Sequence, residues 1–188
     1  MKIPYSKQNI SEKDIFEVKK VLNSELITQG KIVNKFEKKI CDYVGANFGI
    51  ASNSATSSLH VAAAALGLKK GDIFWTSPIS FVATANCGLY CGADVDFVDI
   101  DPKTYNICLI ELKKKLINAK SIGKLPKIII LVHMAGQSTP NKEIYELVKP
   151  LGIKIIEDAS HSLGGEYLNN KIGNCKYSDI TVFSFHPV

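Results

Sequence analysis

Residues 128–158 read IIILVHMAGQSTPNKEIYELVKPLGIKIIED, and this stretch decides the architecture. Ile128 to Val132 is an unbroken apolar run of strand length, the pattern of a strand covered on both faces. Lys142 to Val148 reads as a helix, which Pro150 and Gly152 stop. Ile153 to Ile156 is a second apolar strand. Two strands joined through a helix lie parallel, because a parallel pair needs a long crossover connection.

The alternation continues outward. Upstream, Phe48 to Ala51 reads as a strand, Thr56 to Leu66 as a helix closed by Gly67, and Ile73 to Thr76 as a strand. Phe81 to Tyr90 reads as a helix, Val95 to Ile100 as a strand, and Ile110 to Ile117 lies in a helix. Downstream, Ile180 to Phe185 is a further strand. Two helices precede this array. Ser11-Glu12-Lys13-Asp14 caps the first, whose stripe is Ile15, Val18, Val21 and Leu22. The second carries Ile32, Val33, Phe36, Ile40 and Val44 and ends near Gly45. The class is α/β, a mainly parallel sheet flanked by helices.

Composition agrees and narrows little. The chain has 188 residues, 46% of them apolar, and a formal net charge of +5. Collagen, disorder and a small disulfide scaffold are excluded. The lysines are spread along the whole chain, so no nucleic-acid partner is expected. The best apolar run is too short to span a bilayer, and the first residues lack the apolar core of a signal peptide, so no membrane is expected either. Cysteines 41, 87, 91, 108 and 175 form no C-x-x-C pair. They read as small buried apolar residues in a reduced, cytoplasmic setting, and no metal site is expected.

In an open parallel sheet, ligands bind at the carboxyl ends of the strands. After Phe48–Ala51 comes Ser52-Asn53-Ser54-Ala55-Thr56-Ser57. Small residues and hydroxyls at a helix start suit a phosphate, and equally an ordinary helix cap. There is no P-loop and no G-x-G-x-x-G. After Ile73–Thr76 comes Thr76-Ser77-Pro78-Ile79-Ser80-Phe81, whose aromatic can stack on a planar ligand or pack in the core. His133 and Gly136 follow the 128–132 strand, and His133 alone reads as a satisfied polar residue. Glu157-Asp158-Ala159-Ser160-His161 follows the next. An Asp at the end of a buried strand is costly unless paired with a cation, which can come from the protein or from a ligand, a pyridinium nitrogen being one such partner, while Glu157 reads as a paired structural carboxylate. Ser184 closes the set as a second phosphate donor. Anion cradle, aromatic face, carboxylate and hydroxyl together suit pyridoxal phosphate, whose ring nitrogen such a carboxylate keeps protonated.

These segments, with Leu26-Ile27-Thr28-Gln29-Gly30, Val98-Asp99-Ile100-Asp101 and Phe183-Ser184-Phe185-His186-Pro187, resemble the DegT/DnrJ/EryC1/StrS sugar-nucleotide aminotransferases over the whole chain. Asn53 to Ser57 and Ser77 to Asn86 look most like a subgroup acting at C4 of a UDP-linked 4-keto-6-deoxy-N-acetyl-hexosamine on the route to pseudaminic acid. The resemblance implies the large domain of a fold-type I, aspartate aminotransferase-like protein, with pyridoxal 5'-phosphate as cofactor. UDP-sugar and L-glutamate are the implied substrates, in a homodimer. Residue by residue, it implies that Ala55, Thr56 and Ser184 bind the phosphate and that Phe81 stacks on the ring. Asp158 would hold the ring nitrogen, and His161 would lie near the phenolate side. Tyr5, Glu25, Leu26, Ile27 and Thr28 would line the sugar-nucleotide side.

The same resemblance expects the Schiff-base lysine five residues past Ser184, at the position following Val188, so the catalytic group itself is not expected within 1–188 and His161 has a supporting role. It also expects a smaller C-terminal domain absent from this chain. C3 amination, 3-dehydration on the same scaffold, and a non-catalytic fragment remain open as alternatives.

Overall fold

The computed structural model describes residues 8–186. Its centre is a five-stranded parallel sheet in the order β2-β1-β3-β4-β7. The strands are β1 (Ile73–Thr76), β2 (Asp94–Phe97), β3 (Ile128–Val132), β4 (Lys154–Asp158) and β7 (Ile180–Val182). A hairpin, β5 (Glu166–Tyr167) and β6 (Asn170–Lys171), lies outside the sheet between β4 and β7 in sequence.

Helices cover both faces. On one face α3 (Ala55–Ala65) and α4 (Val82–Tyr90) pack through Leu59, Ala62, Ala83 and Cys87 onto Phe74, Ile128, Ile130, Ile156 and Val182. On the other, α5 (Leu109–Ser121) and α6 (Asn141–Val148) pack through Leu112, Leu116, Ile144 and Val148 onto Trp75, Ile129, Leu131, Ile153 and Ile155. Alternate residues of β3 and β4 thus feed opposite cores, which is why the apolar run 128–132 is unbroken. Gly88 makes the close fit of α4 possible, because a Cβ there would run into the Phe74 ring.

Two helices precede the sheet. The Ser11 capping box with Asp14 starts α1 (Glu12–Leu22), as the sequence predicts. The second, α2 (Lys31–Val44), ends at the left-handed Gly45. The stripe of α1 is not covered by the described residues: Ile15, Val18 and Leu22 are exposed.

Three expectations are corrected. Phe48–Ala51 is irregular and no strand, since no neighbouring strand among the described residues pairs with it. The Ala51 amide instead donates to Glu37 Oε1 at 2.8 Å, and Phe48 is 89% exposed. The strand expected to Phe185 stops at Val182, where its pairing with Asp158 ends, so Ser184 lies beyond the sheet. The strand expected over 95–100 is Asp94–Phe97, and Ile100 makes only a bridge to Ile107. The hairpin escaped notice because its two-residue turn, Leu168-Asn169, has positive φ (47° and 60°) at a leucine, where Asn-Gly is the usual signal.

Candidate active site

The register brings the carboxyl ends of three strands into one row, with Val132 beside Asp158 and Asp158 beside Val182. Asp158 is 5% exposed. Its Oδ2 accepts a hydrogen bond from Thr84 Oγ1 at 2.7 Å. Its Oδ1 accepts from Ser160 Oγ at 2.6 Å and from the Ser160 amide at 3.3 Å. No lysine, arginine or histidine among the described residues forms an ion pair with it. All its donors are neutral. A buried carboxylate solvated only by hydroxyls and an amide still favours a cation, and a protonated ring nitrogen fits that requirement.

The start of α3 lies at the same end of the sheet. Lys127, just before β3, donates from Nζ to the Gly67 carbonyl at 2.5 Å, so the C-terminal end of α3 sits at the amino ends of the strands. An 11-residue helix spans about 16 Å, roughly the length of a five-residue strand, so its first turn is level with Asp158. Ser54 caps the helix, its Oγ accepting from the Ser57 amide at 3.2 Å. No acceptor in the described chain meets the first-turn amides of Ala55 or Thr56. Ser52 braces the cap from outside, with its Oγ 2.6 Å from Ser58 Oγ. Two amides at the positive end of a helix dipole make a cradle for a doubly charged phosphate.

Phe81 is the N-cap of α4, in extended backbone, and is 71% exposed. The sequence left open whether it stacks on a ligand or packs in the core, and a ring this exposed does not pack in the core. Ser184, half-buried, lies two residues past the end of β7 and accepts from the His186 amide at 3.2 Å. Next to it, Phe185 meets Phe36 of α2 edge to face, with centroids 5.0 Å apart. His161 is exposed on the loop after Asp158. Its carbonyl would lie 2.9 Å from a Cβ at Gly136, whose φ is +86°, so the loops after β3 and β4 close on each other through that glycine.

Glu25, Leu26, Ile27 and Thr28 form an exposed loop between α1 and α2, and its hydrogen bonds are local. Nothing in these contacts ties it to Asp158. Tyr5 lies outside the described residues.

On the opposite face of β4, Glu157 is 3% exposed and belongs to a closed network. Its Oε2 is 2.7 Å from His133 Nε2 and accepts from Asn141 Nδ2 at 2.8 Å. Its Oε1 accepts from Thr181 Oγ1 at 3.3 Å. The Thr139 amide donates to His133 Nδ1 at 3.1 Å, so Nδ1 accepts and Nε2 is the nitrogen that donates to Glu157. Burial pushes the Glu157 carboxyl up, but the hydrogen bond and charge attraction of His133, with hydrogen bonds from Ser178 and Asn141, outweigh this and hold it below the ordinary value. Glu157 and His133 are thus paired and satisfied, as their sequence context suggests. Burial pushes the Cys87 thiol up to about 12, so it behaves as an apolar core residue.

Sequence reasoning did not single out Thr84 or Ser160. The signals were present: Thr84 is three residues from Phe81 on one helix, hence on the same face. Asp-x-Ser is the spacing at which an Asp side chain meets the amide two residues on.

An α/β sheet with helices on both faces, unpaired helix-start amides and a buried carboxylate with neutral donors at its strand ends is an arrangement able to hold an anionic cofactor. The chain belongs to the DegT/DnrJ/EryC1/StrS aminotransferase family, whose model matches residues 8–188. It is 43% identical over 187 residues to the UDP-4-amino-4,6-dideoxy-N-acetyl-beta-L-altrosamine transaminase of Campylobacter jejuni, covering 99% of this chain and 48% of that protein. The fold is similar to Helicobacter pylori PseC, an aminotransferase involved in the biosynthesis of pseudoaminic acid, with a TM-score of 0.89 and 36% identity over 98% of this chain and 48% of that one. It is also similar to the putative sugar aminotransferase Spr1654 of Streptococcus pneumoniae in its PLP-form, with a TM-score of 0.87 and 26% identity over 99% and 49% of the two chains. The chain therefore spans about half the length of the relatives it matches.

Proposed function

We propose that residues 1–188 are the cofactor-holding large domain of a longer pyridoxal-phosphate aminotransferase. The proposed reaction moves the amino group of L-glutamate to the C4 ketone of a UDP-linked 4-keto-6-deoxy-N-acetyl-hexosamine. The proposed setting is cytoplasmic and the proposed assembly a homodimer. The observation that carries the reading is Asp158, a buried carboxylate at the end of a central strand whose donors are all neutral.

When bound, pyridoxal phosphate supplies an electron sink that makes the α-proton of an amino acid removable. The residues of this chain hold it in working order. Asp158 would keep the proton on the ring nitrogen, and the amides of Ala55 and Thr56 and the hydroxyls of Thr56 and Ser184 would bind the phosphate. Phe81 offers its ring as a stacking face, and its exposure leaves that face open. By the family resemblance, His161 would stand by the phenolate side, and Tyr5 and Glu25 to Thr28 would line the sugar-nucleotide side. By the family resemblance, the lysine that takes the α-proton would follow Val188 in the full-length protein.

The test uses the full-length protein with pyridoxal phosphate, L-glutamate and the UDP-linked 4-keto sugar. The expected result is a visible cofactor band that glutamate bleaches, and a 4-amino sugar nucleotide identified by NMR. A protein with no cofactor band, or a band indifferent to glutamate, overturns the reading. A 3-amino or 3-deoxy product would move the substrate assignment to another branch of the family.

A further inference from the structure

An ionised carboxylate offers about four lone-pair sites, two on each oxygen. At Asp158 three of them are taken. Ser160 fills both sites of Oδ1 with its hydroxyl and its amide, and Thr84 fills one site of Oδ2 with its hydroxyl. One site remains, and it is on Oδ2. We infer that Thr84 is a positioning residue for the cofactor: it holds Asp158 Oδ2, the oxygen left to receive the ring N–H, and ties that oxygen to the helix that carries the stacking aromatic. This rests on the cofactor reading above.

The placement of Thr84 supports the role. It is fully buried, in the first turn of α4, three residues after the N-cap Phe81. Residues three apart on a helix lie on one face. A single turn of helix therefore presents the ring that would stack on the cofactor and the hydroxyl that aims its carboxylate. The helix is set by the contact of Gly88 with Phe74 and by burial of Ala83 and Cys87. The two groups hence share one rigid support, and the bond from Thr84 fixes the distance between that support and strand β4. Ser160 cannot substitute, because it holds the other oxygen and sits on the same loop as Asp158 itself.

The test measures binding of pyridoxamine phosphate to the full-length apoprotein by calorimetry, a ligand that forms no bond to a lysine. Thr84→Val keeps the shape and removes the donor. Thr84→Ser keeps the donor and removes the methyl. The expected result is a dissociation constant raised about tenfold in Thr84→Val, the fold-change of one lost hydrogen bond to a charged group. Thr84→Ser is expected to bind like the wild type, and both variants should show wild-type circular dichroism. Equal affinity of Thr84→Val and wild type overturns the inference. So does a Thr84→Ser variant as weak as Thr84→Val, since packing would then be the cause. A wild-type protein that binds no pyridoxamine phosphate fails differently: it overturns the functional reading, and this inference with it.

Discussion

Glu157 and Asp158 are neighbours at the end of β4, both buried, and they face opposite cores. Glu157 is closed: His133 and Asn141 fill both sites of Oε2, the Thr181 and Ser178 hydroxyls serve the rest of the carboxylate, and the network ends in backbone. Asp158 is unfinished: its donors are hydroxyls and one amide, and a site on Oδ2 remains. The same chemical group thus serves structure on one face and a ligand on the other. The difference lies in what the adjoining helices bring. On the Glu157 side, Asn141 at the start of α6 reaches the carboxylate, whereas α4 brings Thr84 to Asp158 and leaves Phe81 exposed beside it.

The largest effect that would break this contrast is at Asp158. Asp158→Asn removes the charge and keeps the size. Cofactor affinity should fall about a hundredfold or more, the scale of a lost buried pair of about 3 kcal/mol. The apoprotein should melt at or above the wild-type temperature, because a buried charge with no counter-ion is gone. Unchanged pyridoxal phosphate affinity by calorimetry would sink the contrast.

Glu157→Gln should do the reverse. Its amide would face the donors of His133 and Asn141, at a cost of about 2 kcal/mol in a denaturant melt. Affinity for the cofactor should stay near wild type. A variant that binds poorly but melts normally would show that the two carboxylates are not divided in this way.

Acid sharpens the comparison. The folded Glu157 carboxyl sits below its ordinary value of 4.5, so the folded state takes up its proton later than the unfolded chain. Its contribution is complete above about pH 4.5 and is lost as pH falls through the folded value. The apoprotein should lose stability on acidification in that range, and Glu157→Gln should lose less, as thermal melts at stepped pH will read. The smallest effect expected is Ser160→Ala, which removes one hydroxyl from Asp158 Oδ1 but leaves the amide. It should weaken cofactor binding by about tenfold at most. A larger loss than in Asp158→Asn would make Ser160, not Asp158, the principal ligand.

Much of the fold was legible because its signals are local. The apolar run 128–132, the Ser11 cap and the Gly45 stop each act within a few residues, and each element falls where those residues place it. The places of Ala55 and Thr56 at a helix start and of Asp158 at a strand end were legible too, whereas Ser184 lies past the strand expected to carry it. What could not be read depends on partners distant in sequence. Phe48–Ala51 has the residues of a strand, yet a strand exists only with a neighbour. Leu168 occupies a left-handed turn position that local preference argues against.

The amino-acid order by itself determined an α/β chain with polar and small residues at strand ends, because period and punctuation are properties of the backbone alone. Only the tertiary structure decided which of two adjacent carboxylates is satisfied. Thr84 and Asp158 are 74 residues apart, and Glu157 and His133 are 24 apart. Successive residues of a strand point to opposite faces, so helices packed on each face, not neighbours in sequence, choose the partners of each side chain.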